Sequence, residues 1–251
     1  TLVPRLATAW ESNAEQTEFT FTLDPTAKFA DGSAVTSADV KYSWERLAGL
    51  QGSASYLVGS IEAIDTPDDG TVKVTLSASN SAFLAQVNAG YLGIMNKKVA
   101  EANGATTDPT TDKAEEWFLA NSAGSGPYTL KSYAAGAELR LERNDAYWGA
   151  APAFPEVIIK ETPQAVTQRQ QLEEGSVDIA MQISNDVAAG MSGSDVVVEQ
   201  VPSFNFVYLA LSRGEGRDAV ASVGAVVLTA VVAMLSLPTL SNRAWHAARP
   251  E

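Results

Sequence analysis

The chain reads as an α/β protein, and three stretches predict it. "EFTFTLDP" alternates Phe19, Phe21 and Leu23 with Thr20 and Thr22, the period-2 signature of a strand with one buried face. "TSADVKYSWERLAG" offers Thr36 or Ser37 as N-cap and Asp39 in the first turn, and it places Val40, Trp44 and Leu47 on one helix face. "EVIIKETP" followed by "QAVTQRQQLEEGSVDIAMQI" runs strand, helix to Gly175, then strand from Val177 to Ile183, the order of a βαβ unit.

The other elements follow in order. Asp31-Gly32 in "FADGSAV" is a turn signal between the first strand and the first helix. "SIEAIDTPDDGTVKVTLS" predicts a β-hairpin, Ser60 to Asp65 and Thr71 to Ser77, turning at Pro67 to Gly70. A helix starts near Ser81, the apolar stretch "YLGIM" is irregular, and "KKVAEA" is a short helix ended by Asn103-Gly104. After the polar loop "ATTDPTTD", "KAEEWFLAN" is another short helix. Strands return at Tyr128 to Tyr133 and Glu138 to Arg143, turning at Ala135-Gly136, and the run Val157, Ile158, Ile159 suggests a strand buried on both faces. "DVVVEQVPSFNFVYLALS" predicts two further strands separated by Pro202 and Ser203. No internal repeat is evident.

Composition narrows the function classes. A chain of 251 residues with 45% hydrophobic residues has material for one large domain or two ordinary ones. The 17 basic residues are scattered among 30 acidic ones, for a net charge of −13, which argues against nucleic acid as a partner. A small or cationic partner suits that balance better. Cysteine is absent, which removes disulfides, Cys-ligated zinc and thiol nucleophiles together. Charge is uneven along the chain: residues 1 to 212 hold 13 basic and 27 acidic residues, whereas 213 to 251 hold 4 and 3.

Several motifs fail as chemistry. "GSGPY", Gly124 to Tyr128, begins like a phosphate-cradling loop, but Pro127 removes an N–H and no third Gly or Lys follows, so it reads as a turn. "DTPDDG" at Asp65 to Gly70 lacks the oxygen ligands of a calcium loop, because Pro67 and Leu76 stand at two ligand positions. Glu173-Glu174 and Glu115-Glu116 are neighbours on helices and point about 100° apart, so neither pair converges on one bond. His246, the one histidine and so the only candidate base for a Ser/His/Asp triad, lies beyond the apolar segment and outside any plausible core. No catalytic residue, metal ligand or cofactor is expected.

Aromatic residues carry more. Trp10, Trp44, Trp117, Trp148, Tyr147, Phe204, Phe206 and Tyr208 are suited either to stacking on a ligand or to core packing. Trp44 belongs with Val40 and Leu47 in the core, and Trp10, Trp44 and Trp148 are all expected to be largely buried. In "PSFNFVYLALS" the alternation separates Phe204, Phe206 and Tyr208 from Asn205, Val207 and Leu209, which makes Asn205, between two Phe residues, a ligand-contact candidate.

Six blocks, taken in order, resemble the extracytoplasmic solute-binding proteins of the peptide and nickel type, family 5, which serve ABC importers. They are "LVPRLATAWE" (Leu2 to Glu11), "FTFTLDPTAKFADGSAVTSADVKYSWERL" (Phe19 to Leu47), "SIEAIDTPDDGTVKVTLS" (Ser60 to Ser77), "GSGPYTLKSY" (Gly124 to Tyr133), "LERNDAYWG" (Leu141 to Gly149) and "LEEGSVDIA" (Leu172 to Ala180). The resemblance implies the first lobe of a bilobed periplasmic-binding-protein fold of type II, the peptide-binding kind. Residues 1–123 would form its accessory domain and residues 124–212 part of its ligand-facing domain. It implies binding without catalysis, a peptide or other small solute as ligand, and ABC permease subunits as partners outside the cytoplasm. Tyr56 in "SASYL" would reach toward the cleft, and Ser203, Phe204, Asn205, Phe206 and Tyr208 would run beneath the ligand. The family's members usually begin about fifty residues before "LVPRLA", often with a lipidated cysteine, and continue into a second lobe. The chain is therefore expected to be truncated at both ends and to bind weakly.

Residues 213–251 depart from the pattern. The nineteen residues Ala219 to Leu237 carry no charge and, at about 1.5 Å each, would span ~28 Å as a helix, enough for a membrane. Six Val and five Ala, with two Arg on each side, give marginal insertion and no orientation bias. An apolar helical tail without evolved function, from a frameshift or fusion, is the expectation, with a membrane anchor as its rival. Two rival functions also stand: a membrane-tethered interaction domain held by residues 219–237, and an oligosaccharide-binding member of the same family.

Overall fold

The computed structural model describes residues 2–181, 183–191 and 196–199. The chain divides into two compact units, the first running from Thr1 to Glu161 and the second starting at Thr162.

In the first unit, strands β1 (Ala7–Ser12), β2 (Glu18–Leu23), β3 (Ile61–Asp68) and β4 (Thr71–Leu76) form an antiparallel sheet in the order β1-β2-β4-β3. The alternation seen in the sequence builds its buried face. Phe21 pairs across the sheet with Trp10 on one side and Val72 on the other, and Phe19 pairs with Val74, so the apolar residues of three strands stand in rows. Helix α1 (Ser37–Gly49) covers that face with Val40 and Trp44 buried and Leu47 packed alongside. The Trp44 ring meets Phe21 and Phe83 edge-on at centroid distances of 6.3 and 6.4 Å, a favoured aromatic geometry, and its Nε1 donates to Leu92 O at 3.2 Å. Phe83 comes from the one-turn helix α2 (Phe83–Gln86), and Leu92 from a 3₁₀ turn, Gly90–Leu92. The β3–β4 hairpin stands as its sequence indicated, with β3 running on to Asp68.

Buried polar groups tie the loops to this core. Asp39 Oδ2 accepts from the Thr36 N–H at 2.9 Å and hydroxyl at 2.7 Å, closing the start of α1. Its Oδ1 accepts the Lys97 N–H at 2.9 Å, which fixes the start of helix α3 (Lys97–Ala102). The cap of α3, Asn96, donates to Asp31 Oδ2 at 3.0 Å and Ser33 Oγ at 2.9 Å and accepts from Val99 N–H at 3.1 Å. The turn that carries Asp31 needs Gly32, whose φ of +84° suits a residue without Cβ. Beside helix α4 (Glu115–Phe118), Arg46 reaches Asp112 Oδ2 at 2.7 Å and lies 5.3 Å from the centre of the Phe118 ring. Among the described residues, no buried side-chain nitrogen or oxygen lacks a partner.

The same unit carries a second antiparallel sheet, β5 (Tyr128–Ala134), β6 (Glu138–Arg143) and β7 (Glu156–Lys160), in that order. The expectation that "EVIIK" is buried on both faces is corrected here. Ile158 and Ile159 are 41% and 53% exposed, because β7 is an edge strand among those described and no described element covers both its faces.

In the second unit, helix α5 (Ala165–Glu173) ends at Gly175, whose φ is +70°. The strand expected from Val177 to Ile183 is absent among the described residues, and Ile179 and Met181 are exposed. The βαβ unit inferred from it falls with it, and every strand pair described is antiparallel. Alternating apolar residues make a strand only where a neighbouring strand accepts their hydrogen bonds. Helix α6 (Asn185–Ala189) completes the described elements. The strands expected within residues 200–212 and the apolar segment 219–237 lie outside the described residues.

Candidate functional site

Tyr56 sits in a 3₁₀ turn, Ser55–Val58, whose Leu57 and Val58 are buried in the main core. The turn packs on α1 and leaves the tyrosine ring 74% exposed. A large aromatic ring held in water on an anchored turn is suited to stacking on a ligand. The other residues expected to contact ligand, Ser203, Phe204, Asn205, Phe206 and Tyr208, lie outside the described residues. Trp44 is buried, whereas Trp10 and Trp148 are half-buried, less than the sequence suggested.

The "GSGPY" loop is structural. Gly124 O accepts from Ala30 N–H at 3.3 Å, Ser125 O from Trp148 Nε1 at 3.0 Å, Gly126 O from Asn144 Nδ2 at 3.0 Å, and Pro127 O from Asn144 N–H at 2.9 Å. Four successive carbonyls are thus engaged by the protein, which is the opposite of a loop that aims N–H groups at phosphate. Asn144, buried, makes two of these four bonds, and its Oδ1 also accepts Ala146 N–H at 3.0 Å.

Two pockets of the first unit, each partly open to solvent, stand out among the described residues. One, about 200 Å³, is apolar and sits beside the core between Trp10, Trp44, Leu84, Val87 and Leu92. The other, about 640 Å³, is lined by Arg5, Asp24, Tyr128, Tyr147 and Trp148 together with prolines 4, 127 and 152. Hydrogen bonds from Thr26, through its hydroxyl and then its N–H, hold the Asp24 carboxyl below its usual value, so it is ionised at neutral pH. Among the described residues no cluster of His, Cys, Asp or Glu is placed to hold a metal, and no helix is long and apolar enough to cross a membrane.

The fold defines a class. It is the mixed α/β fold of the periplasmic binding proteins, and the extent matched corresponds to one lobe of such a protein. The model for bacterial extracellular solute-binding proteins, family 5 Middle, matches residues 1–222, and the chain belongs to that family. It is 37% identical over 212 residues to a probable D,D-dipeptide-binding periplasmic protein, DdpA, of Escherichia coli strain K12, covering 84% of this chain and 40% of the relative. Among solved structures it is similar to the periplasmic binding protein AgaA of A. tumefaciens R10 in complex with agropinic acid, at 32% identity and a TM-score of 0.59, over 69% of this chain and 34% of that one. MoaA from the same source, in complex with mannopinic acid, matches at 27% identity and a TM-score of 0.59, with the same coverage. The chain therefore spans about 40% of the length of the curated relative and about a third of the solved ones.

Proposed function

We propose that this chain is the solute-capturing part of an ABC importer, working outside the cytoplasm and handing peptides or similar small solutes to a membrane permease. Binding, with no covalent chemistry, is its role. The observation that carries the proposal is the 37% identity to a D,D-dipeptide-binding relative within a family match over residues 1–222. The exposed ring of Tyr56 on its anchored turn supports a contribution to the ligand cleft. Residues 1–123 serve as the accessory domain and residues 124–212 contribute to the ligand-facing domain, with Ser203, Phe204, Asn205, Phe206 and Tyr208 on the strand beneath the ligand. Membrane association comes through a lipid anchor on the complete protein or through residues 219–237.

Half a cleft encloses only part of a solute, whereas useful pockets bury roughly 70 to 90% of one, so the 251-residue chain binds weakly by itself. A thermal-shift screen of di- to pentapeptides against the complete gene product tests the role. Stabilisation by peptides, reduced by Tyr56→Ala, is the expected result. Peptides without effect on the melting temperature at any concentration would overturn it.

A further inference from the structure

We propose that the pocket between Arg5, Asp24 and Trp148 is a binding site for a small zwitterion that carries a flat ring, such as an aromatic amino acid. Its volume of about 640 Å³ falls in the size range of small-molecule sites, roughly 300 to 1,000 Å³. Four segments distant in sequence build it: the stretch leading into β1, the residue after β2, the start of β5, and the loop from Tyr147 to Pro152.

The walls are held in advance of any ligand. Trp148 Nε1 is committed to Ser125 O at 3.0 Å and the Tyr128 hydroxyl to Phe154 O at 3.0 Å, so each ring keeps a fixed orientation. Trp148 packs against the buried cluster of Ala27, Phe29 and Val35, and the Tyr147 ring lies 5.5 Å from it, centre to centre. Fixed aromatic faces and proline rings suit a flat apolar group.

The charges select the rest of the ligand. Arg5 and Asp24 line one pocket without forming an ion pair with each other, so neither charge is neutralised by the other. Asp24 Oδ1 is occupied by Thr26, which leaves Oδ2 for a cation. The Arg5 side chain, exposed, offers its fork to a carboxylate. A polyanion is disfavoured by the ionised Asp24 and by the net charge of −13, and a metal ion would find a single carboxylate. This site uses residues other than Tyr56 and stands independently of the transport role.

Calorimetric titration of the 251-residue chain with L-phenylalanine tests the proposal, alongside phenylacetate, phenethylamine and glycine, which lack the ammonium, the carboxylate and the ring in turn. L-phenylalanine is expected to bind with a dissociation constant near or below about 1 mM, and each truncated compound about tenfold more weakly. Arg5→Gln, at an exposed position where folding is checked by circular dichroism, is expected to cost about tenfold, while Tyr56→Ala leaves this binding unchanged. No binding by L-phenylalanine, equal binding by the truncated compounds, or unaltered binding by a folded Arg5→Gln chain would each overturn the site.

Discussion

Asp39 Oδ1 accepts the Lys97 N–H at 2.9 Å, so the carboxylate that starts α1 also starts α3, 58 residues later. Through Oδ2 the same group takes both the N–H and the hydroxyl of Thr36. Asp39→Ala removes a helix cap and leaves an amide in a partly buried site without its acceptor, at an expected cost of about 2 to 3 kcal/mol. Urea unfolding measures it, and a loss under about 0.5 kcal/mol would mean that solvent replaces those bonds freely.

Arg46 and Asp112 form the most enclosed ion pair described, with side chains only 12% and 11% exposed. Removing one partner strands the other, so Asp112→Ala is expected to destabilise by about 3 kcal/mol, and Arg46→Met with Asp112→Leu by clearly less than the single change. Equal losses for the single and double variants would contradict this.

Acid stability follows from the same carboxylate. Burial would raise the Asp112 carboxyl, but the Thr106 N–H and the Arg46 guanidinium outweigh it and hold the group below its ordinary value of 3.8; Asp31 is lowered too, chiefly by the Ser33 hydroxyl. Each binds fewer protons folded than unfolded. Their stabilisation is therefore full above the unfolded value and is lost as pH falls through the lower folded value. Melting temperatures taken from about pH 5 down to about pH 2 should fall, and Asp112→Asn should flatten the slope. An unchanged slope would sink this assignment.

Trp44 fills the space between sheet and helix. Trp44→Ala is expected to cost about 3 to 5 kcal/mol, and Trp44→Phe substantially less because the ring contacts survive while the bond to Leu92 O does not. Chemical denaturation distinguishes the two. A Trp44→Ala chain as stable as the parent would show the core to be wrongly placed.

Gly49 gives a result that helix propensity alone would get backwards. Gly to Ala in the middle of a helix ordinarily gains about 0.5 to 1 kcal/mol, and less at a last residue such as Gly49, yet a Cβ here would lie 1.9 Å from Thr107 O, which is backbone. Gly49→Ala is expected to lower the melting temperature, whereas Gly52→Ala, where a Cβ meets nothing within 4 Å, should not. A stabilised Gly49→Ala chain would show that the Thr107 segment does not press on α1.

Much of this was legible because local pattern and tertiary role agreed. Phe19, Phe21 and Leu23 alternate and are buried, Val40 and Trp44 share a helix face and pack together, and Thr36 with Asp39 spells a helix start. Where burial depends on neighbours, the pattern misled. Val157, Ile158 and Ile159 look like a central strand but lie on an edge among the described strands, and the residues after Gly175 alternate with no described strand to pair with. The pocket at Arg5 and Asp24 was not legible at all, since it is assembled from loops whose approach no local spacing records.

Calorimetry with di- to pentapeptides and with oligosaccharides, run on the complete gene product and on the 251-residue chain, tests the proposed role most directly. The complete product is expected to bind peptides at about micromolar concentrations and sugars not at all, and the chain alone to bind peptides far more weakly. Failure of the complete product to bind any peptide, or a preference for oligosaccharides, would contradict the peptide-import role.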